Sequence, residues 1–411
     1  MTKRIAAIIF IFACTTVAWA ALGSTIFYRT YDKDARLHGR VASIWGAPQT
    51  QTPPTASYQR GELKTTETVE DGKKKTVTIK ENVTTPLPLE SSRVTVALKH
   101  EYRQKGLLWF SLYTVDFAGT YVFRNPDQEE QWVNFYLGFP AAQAIYDNLT
   151  FVVDDRPVTL SNEKSYAWGA VRVGGGKAAT LKIGYRSQGL ESWKYNFGGE
   201  VAQVADFQLR MTTNFKAIDF PENGLSPSEK RETPDGWELG WNYKNLITGY
   251  DIGMVMPEKL QPGPLAGRIS YFAPVSLFFF FFLMFIITTL RGIELHPMNY
   301  FFLAAAFFAF HLLLAYLVDH ISIHAAFAIC SAVSIFLVVS YLRLVVGIRF
   351  AAVEAGLAQF IYLVLFSYAF FFKGFTGLAV TIGSILTLFV VMQMTGRIRW
   401  AEKFANNKQA S

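Results

Sequence analysis

Cysteine is nearly absent from this chain. There are 2 in 411 residues, Cys14 and Cys330, and both fall inside long apolar runs. The polar segment between those runs, residues 29–270, therefore has none, which excludes a disulfide framework or a cysteine-based zinc site there. Such a segment must be stabilised by core burial, and at roughly 240 residues it is long enough. Net charge is also missing where a nucleic-acid binder would need it. The chain carries +7, yet residues 29–270 hold 29 basic against 28 acidic residues. A nearly neutral domain gives no support to nucleic-acid binding.

What is present is apolar sequence, concentrated at the N-terminus and after residue 270. The first run is IAAIIFIFACTTVAWAALGSTIFY, residues 5–28, preceded by Lys3 and Arg4. Ala18-Trp19-Ala20 resembles a signal-peptide cleavage pattern, but the run continues to Tyr28, past the usual length of a signal's apolar region. About 20 apolar residues cross a bilayer as a helix, so a retained anchor is expected. Five more spans are expected near 271–290, 300–318, 325–342, 354–372 and 375–395. Six spans put both termini on one side.

Lys and Arg set the orientation. With the N-terminus inside, the cytoplasmic segments carry nine basic residues against the three acids Glu294, Glu354 and Glu402. The short external loops hold only Asp319 and Lys373 as full charges. The excess positive charge is thus an inside signal and a contact with anionic lipid.

Within 29–270, the stretch GAPQTQTPPTASYQRG (46–61) has almost no large apolar residues and reads as a mobile loop. Asp71-Gly72 is a hairpin pair, and Lys73, Lys74 and Lys75 read as a solvated edge. From residue 92 short alternating runs such as RVTVALKHEY and ADFQLRMTTNF predict strands, with turns at Asp154-Asp155 and Gly174-Gly175-Gly176. The glycines are not a phosphate loop, because no helix follows them. An antiparallel β-sandwich is expected, divided into two subdomains near 186–203. Trp237 and Trp241 read as core anchors within a long surface loop, 219–241. His38 and His100 lie apart and the acids are scattered, so no catalytic set is expected. Pro257, Pro262 and Pro264 predict an extended, non-helical connector to the second span.

Polar groups inside apolar spans are functional candidates by default. His311 lies near the middle of the third span. Asp319 follows eight residues later, about 12 Å along a helix, and His320 and His324 stand close by. Gln359 and Gln393 are further polar groups in or near spans. A zinc motif needs two histidines facing one way on a continuous helix. VDHISIH (318–324) is instead a turn between spans, so it reads as a polar junction with no metal or cofactor. His311 reads either as an interhelical hydrogen-bonding group or as a proton- or ligand-handling one.

Three stretches resemble a known family. LHPMNYFFL (295–303), with His296, Pro297 and Tyr300, is similar to the family's opening motif. HLLLAYLVDHISIHAAF (311–327) resembles its leucine-rich helix ending in an acid–histidine pair, and GSILTLFVVMQMTGRIRW (383–400), with Arg397 and Trp400, resembles its last helix. On these residues the chain is identified as a member of the CreD family of inner-membrane proteins, associated with colicin tolerance and cell-envelope integrity. The resemblance implies a bacterial inner-membrane protein with stress-regulated expression and no established catalytic residues.

The expected fold is an α+β membrane protein. An N-terminal transmembrane helix (1–28) precedes a large β-sandwich-like periplasmic domain (29–268), a five-span bundle (269–400) and a cytoplasmic tail (401–411). The expected function is non-enzymatic support of envelope integrity or stress tolerance in the lipid bilayer, with the periplasmic domain binding an envelope component or protein partner. The alternative is a small transporter or proton-coupled device using His311, Asp319, His320 and His324.

Overall fold

Six stretches have the length and apolar composition to cross a bilayer, and all six are helical in the computed structural model, which describes residues 2–70, 73–105, 108–142, 144–198, 202–372 and 374–396. Helix α1 runs Thr2–Trp45, of which Arg4–Thr30 is of membrane character. It is followed by α2 (Pro262–Arg291), α3 (Pro297–Leu317), α4 (Ile323–Val345), α5 (Phe350–Phe371) and α6 (Thr376–Thr395). The expected spans match these six.

The helix ends follow from local chemistry. At α3 the His296 ring accepts from the Met298 N–H, and Pro297 occupies the first helical position, where no N–H is needed. One turn later Tyr300 is fully buried against Phe281. These contacts give the His-Pro-x-x-Tyr motif a helix-starting role. Ser322 caps α4. Helix α2 corrects the expected connector: it begins at Pro262, so Pro262 and Pro264 lie in its first turn, where proline is tolerated. Helix α5 is irregular, with π-helical turns at Phe350–Ala355 and Phe360–Leu365.

The chain divides into two units. One comprises residues 1–36, 106–108 and 260–411, the other 37–105 and 109–259. In the first, the buried cluster runs from Trp19 through Phe280, Phe307 and Phe310 to Leu363.

The second unit is β-rich. Its strands are β1 (Gln49–Gln51), β2 (Thr55–Glu70), β3 (Lys73–Pro86), β4 (Leu89–Lys105), β5 (Leu108–Arg124), β6 (Gln131–Gly138), β7 (Tyr146–Val153) and β8 (Arg156–Pro157). They continue with β9 (Ser161–Asn162), β10 (Tyr166–Val173), β11 (Ala178–Leu190), β12 (Ser192–Tyr195), β13 (Ala202–Thr213), β14 (Glu229–Glu232), β15 (Trp237–Thr248) and β16 (Ile252–Val255). An eight-stranded sheet has the order β14-β15-β13-β4-β5-β11-β7-β8, a five-stranded sheet β3-β2-β6-β10-β9, and a three-stranded sheet β1-β12-β16. Alternation drives the layering: Val94, Val96 and Leu98 on β4 and Val133, Phe135 and Leu137 on β6 are buried, with exposed or partly exposed residues between them. All three sheets contribute to one core, in which Phe123 meets Phe135 edge to face at 5.7 Å. The sandwich expectation is met.

Four details differ from expectation. Two pairings, β4 with β13 and β1 with β12, are parallel. The eight-stranded sheet takes strands from both sides of 186–203, so no subdomain division falls there. The stretch 46–61 is not a mobile loop, because it carries β1 and the start of β2. The glycine triplet joins strands of two different sheets, whereas Asp154-Asp155 does close a hairpin, with both residues at positive φ (48° and 61°). Asp71 and Gly72 lie outside the described residues, between the paired ends of β2 and β3. The side chains of Lys73, Lys74 and Lys75 on edge strand β3 also lie outside them, as does that of His38. Trp241 is fully buried and donates to the Leu225 carbonyl. Trp237 is half-buried, donates to the Lys216 carbonyl and lies under Lys230.

Candidate functional sites

In the helical unit, the four polar residues singled out from sequence do not converge: His311, Asp319 and His324 have separate partners. His311 is fully buried; its Nδ1 lies 3.0 Å from the Phe307 carbonyl, and its ring meets Trp19 edge-on at 5.5 Å. Asp319 lies in the turn after α3 and forms an ion pair with Arg29 of α1 at 3.2 Å. The same guanidinium donates to the Ala315 carbonyl at 2.9 Å and sits over the Tyr316 ring. Arg29 was not legible as a partner, being 290 residues away in sequence. Its one signal was a cation at the C-terminal end of the first span. His320 is exposed in the turn. His324, at the start of α4, is exposed and packs its ring against Phe371 at 5.1 Å. Among the described residues, no three His, Cys, Asp or Glu side chains are placed to hold a metal ion.

Other polar groups link the helices. Gln359 is fully buried and donates to Ser334 at 2.8 Å, and Ser334 donates to the Ala306 carbonyl at 2.7 Å, joining α3, α4 and α5. Glu354 on α5 pairs with Arg291 at the end of α2. Gln393 is exposed on α6. Arg397 and Trp400 of the family-like motif lie outside the described residues.

The β-rich unit contains a concavity of about 750 Å³, within the range of small-molecule sites. Ile44 and Trp45 of α1, Glu101 and Arg103 of β4, the β6–β7 loop and Arg186 of β11 contribute to its lining. Three backbone features shape it. The β7–β11 ladder slips between Gly184 and Arg186, a bulge of the kind that re-aims side chains beside sites. Asn148 holds positive φ (54°) beside it. Gly46, at φ 102°, passes so close to the Gln188 carbonyl that a Cβ would lie 2.3 Å from its oxygen.

The lining mixes both charges with apolar tips. Ile145 is 80% exposed and Ile44 61%, an unfavourable placement for two β-branched apolar side chains in water. Arg103 pairs with Glu101 at 2.6 Å and lies over the Trp45 ring at 5.8 Å. Arg186 holds Asp116 by two hydrogen bonds of 2.5 and 3.2 Å, and these keep the Asp116 carboxyl below the usual carboxylate range. Asp147 accepts from the Asn148 backbone at 2.9 Å and forms no ion-pair contact among the described residues, although Arg186, opposite it on the β7–β11 ladder, attracts it electrostatically. The concavity thus presents a carboxylate with no ion-pair contact together with two exposed apolar side chains. No sequence signal pointed to it, because its residues are spread from 43 to 188 and meet only through the sheet.

Comparison with known proteins adds one family and two distant likenesses. Residues 230–401, which take in β14 to β16 and the described part of the C-terminal helices, match the family described as inner membrane protein CreD. No curated protein matches the sequence. A Legionella pneumophila structure described as a nutrient binding protein is 10% identical, with a TM-score of 0.35 over 57% of this chain and 76% of that one. An M1 zinc metallopeptidase from Deinococcus radiodurans is 12% identical, with a TM-score of 0.26 over 42% of each chain. Neither score is high enough to carry an argument about fold or function.

Proposed function

Taking residues 230–401 as a CreD-family segment of an inner-membrane protein, we propose that this chain is a non-enzymatic protein supporting cell-envelope integrity. The β-rich unit lies on the periplasmic side and binds an envelope component, while the six helices anchor it in the bilayer. The observation that carries the reading is the concavity lined by Ile44, Ile145 and the unpaired Asp147. Exposed apolar groups around an unpaired acid suit a ligand with an apolar part and a cationic or hydrogen-bond-donating group. The separate partners of His311, Asp319 and His324 offer nothing that favours the proton-coupled alternative.

The test uses the full-length protein in cells, with a photo-crosslinking residue at Ile145 and, as a control, at exposed Arg210. A discrete adduct at Ile145 and not at Arg210 is expected, and it should disappear when Asp147→Asn and Ile44→Asp are added. The same double variant should lower detergent tolerance at unchanged protein level. No adduct at Ile145, or the same adduct at both positions, overturns the reading.

A further inference from the structure

Helix α1 meets the other helices of its unit along one narrow stripe. Only 11% of its most apolar window is buried. Among its buried or closely packed positions are Trp19, Gly23, Ile26, Phe27 and Thr30, spaced as one helical face. A Cβ on Gly23 would lie 2.9 Å from the Tyr271 ring, and one on Gly267 would lie 2.9 Å from Phe27, so α1 and α2 pack through glycine notches. Ser24 and Tyr271 join their hydroxyls at 2.7 Å. At the end of the stripe stands the Arg29–Asp319 pair.

Trp19 is the largest fully buried side chain of α1, and its indole Nε1 is enclosed without a partner. On the His311 ring, which meets the indole edge-on, Nε2 is also enclosed without a partner. The tautomer of His311 follows from its other nitrogen. A carbonyl oxygen only accepts, so the Nδ1 that lies 3.0 Å from the Phe307 oxygen carries the proton. That leaves Nε2 as a bare acceptor. An indole N–H only donates. Two edge-on rings, 5.5 Å apart at 80°, thus bring one orphaned donor and one orphaned acceptor into the same site closed to solvent.

We propose that Trp19 and His311 form a buried hydrogen-bonded junction that fixes α1 to α3, closed by a small ring rotation or by one trapped water. Each group satisfies what the other lacks, and neither has another partner among the described residues. The junction makes His311 a structural acceptor, its ring oriented by the bond from Nδ1 to the Phe307 carbonyl. It does not depend on the envelope-binding reading, because it concerns packing inside the helical unit alone.

The test is a double-mutant cycle on the full-length protein in nanodiscs, using Trp19→Phe, His311→Phe and both together, with thermal unfolding of the helices as the readout. His311→Phe keeps a ring against Trp19 and removes the acceptor. Each single variant should be less stable than the parent, and the double variant less destabilised than the sum of the two. A simple sum overturns the junction. Should a single variant fail to reach the membrane, the parent protein decides through the ¹⁵N indole resonance of Trp19. A hydrogen-bonded N–H should exchange with D₂O at least about five- to tenfold more slowly than an equally buried free one. Exchange at the rate of a free buried indole overturns the proposal.

Discussion

His100 sits on β4 between the rings of Tyr102, at 4.4 Å, and Phe215, at 5.6 Å, with its Nε2 enclosed and unpartnered. Burial lowers its pKa from the ordinary 6.5, and the nearby Glu101 carboxylate only partly opposes this. The folded protein therefore holds His100 neutral where the unfolded chain would begin to take a proton. The resulting stability is present in full above pH 6.5 and is lost as pH falls through the lowered folded value. Unfolding temperatures measured between pH 8 and pH 5 should decline less in His100→Gln than in the parent. Parallel declines would remove His100 from the acid response. Single residues were unevenly legible in the sequence. Asp319 stood out because charge between apolar spans is costly. Its neutralisation by Arg29 did not, because a contact across 290 residues leaves no local pattern. Trp19 read only as part of a cleavage-like tripeptide, since nothing in one helix indicates which face meets an imidazole on another.

Elements were legible where their signal is local and misread where a distant partner changes its meaning. The six spans follow from apolar length alone, and Pro297 opens α3, where its missing N–H is not needed. Pro262 and Pro264 were read as excluding a helix, yet the first turn has no use for their missing N–H groups. Strand β1 is the clearest case. Gln-Thr-Gln reads as solvated loop, but Gln49 and Gln51 are fully buried. Gln49 donates to Ser187 at 2.8 Å, and Gln51 donates to the Thr52 carbonyl at 2.6 Å. Gln51 also accepts the Tyr185 hydroxyl at 2.7 Å, so a polar strand is held inside the sandwich by side chains more than a hundred residues away. Gln51→Leu leaves the buried Tyr185 hydroxyl without an acceptor and should cost about 1–3 kcal/mol. Adding Tyr185→Phe removes that orphan, so the double variant should recover part of the loss. Chemical denaturation of the three variants checks this. A double variant no more stable than Gln51→Leu would show that the hydroxyl is not what β1 holds.

At the scale of the whole molecule, charge carries the topology. The segments assigned to the cytoplasm hold nine basic and three acidic residues, against a balanced β-rich unit. Arg29, basic but assigned to the external end of α1, does not count against this, because Asp319 neutralises it in place. Glu354 is offset in the same way by Arg291 at the opposite end. The positive-inside rule weighs short segments close to the spans, and here these agree with one another. Both termini are therefore expected in the cytoplasm and the β-rich unit in the periplasm. In a background with Cys14→Ala and Cys330→Ala, a single cysteine placed at exposed Ser228 should react with a membrane-impermeant maleimide in intact spheroplasts. A single cysteine replacing Lys408 should react only after lysis. The reverse pattern would place the β-rich unit in the cytoplasm, where no periplasmic ligand could reach the concavity between Ile44 and Ile145.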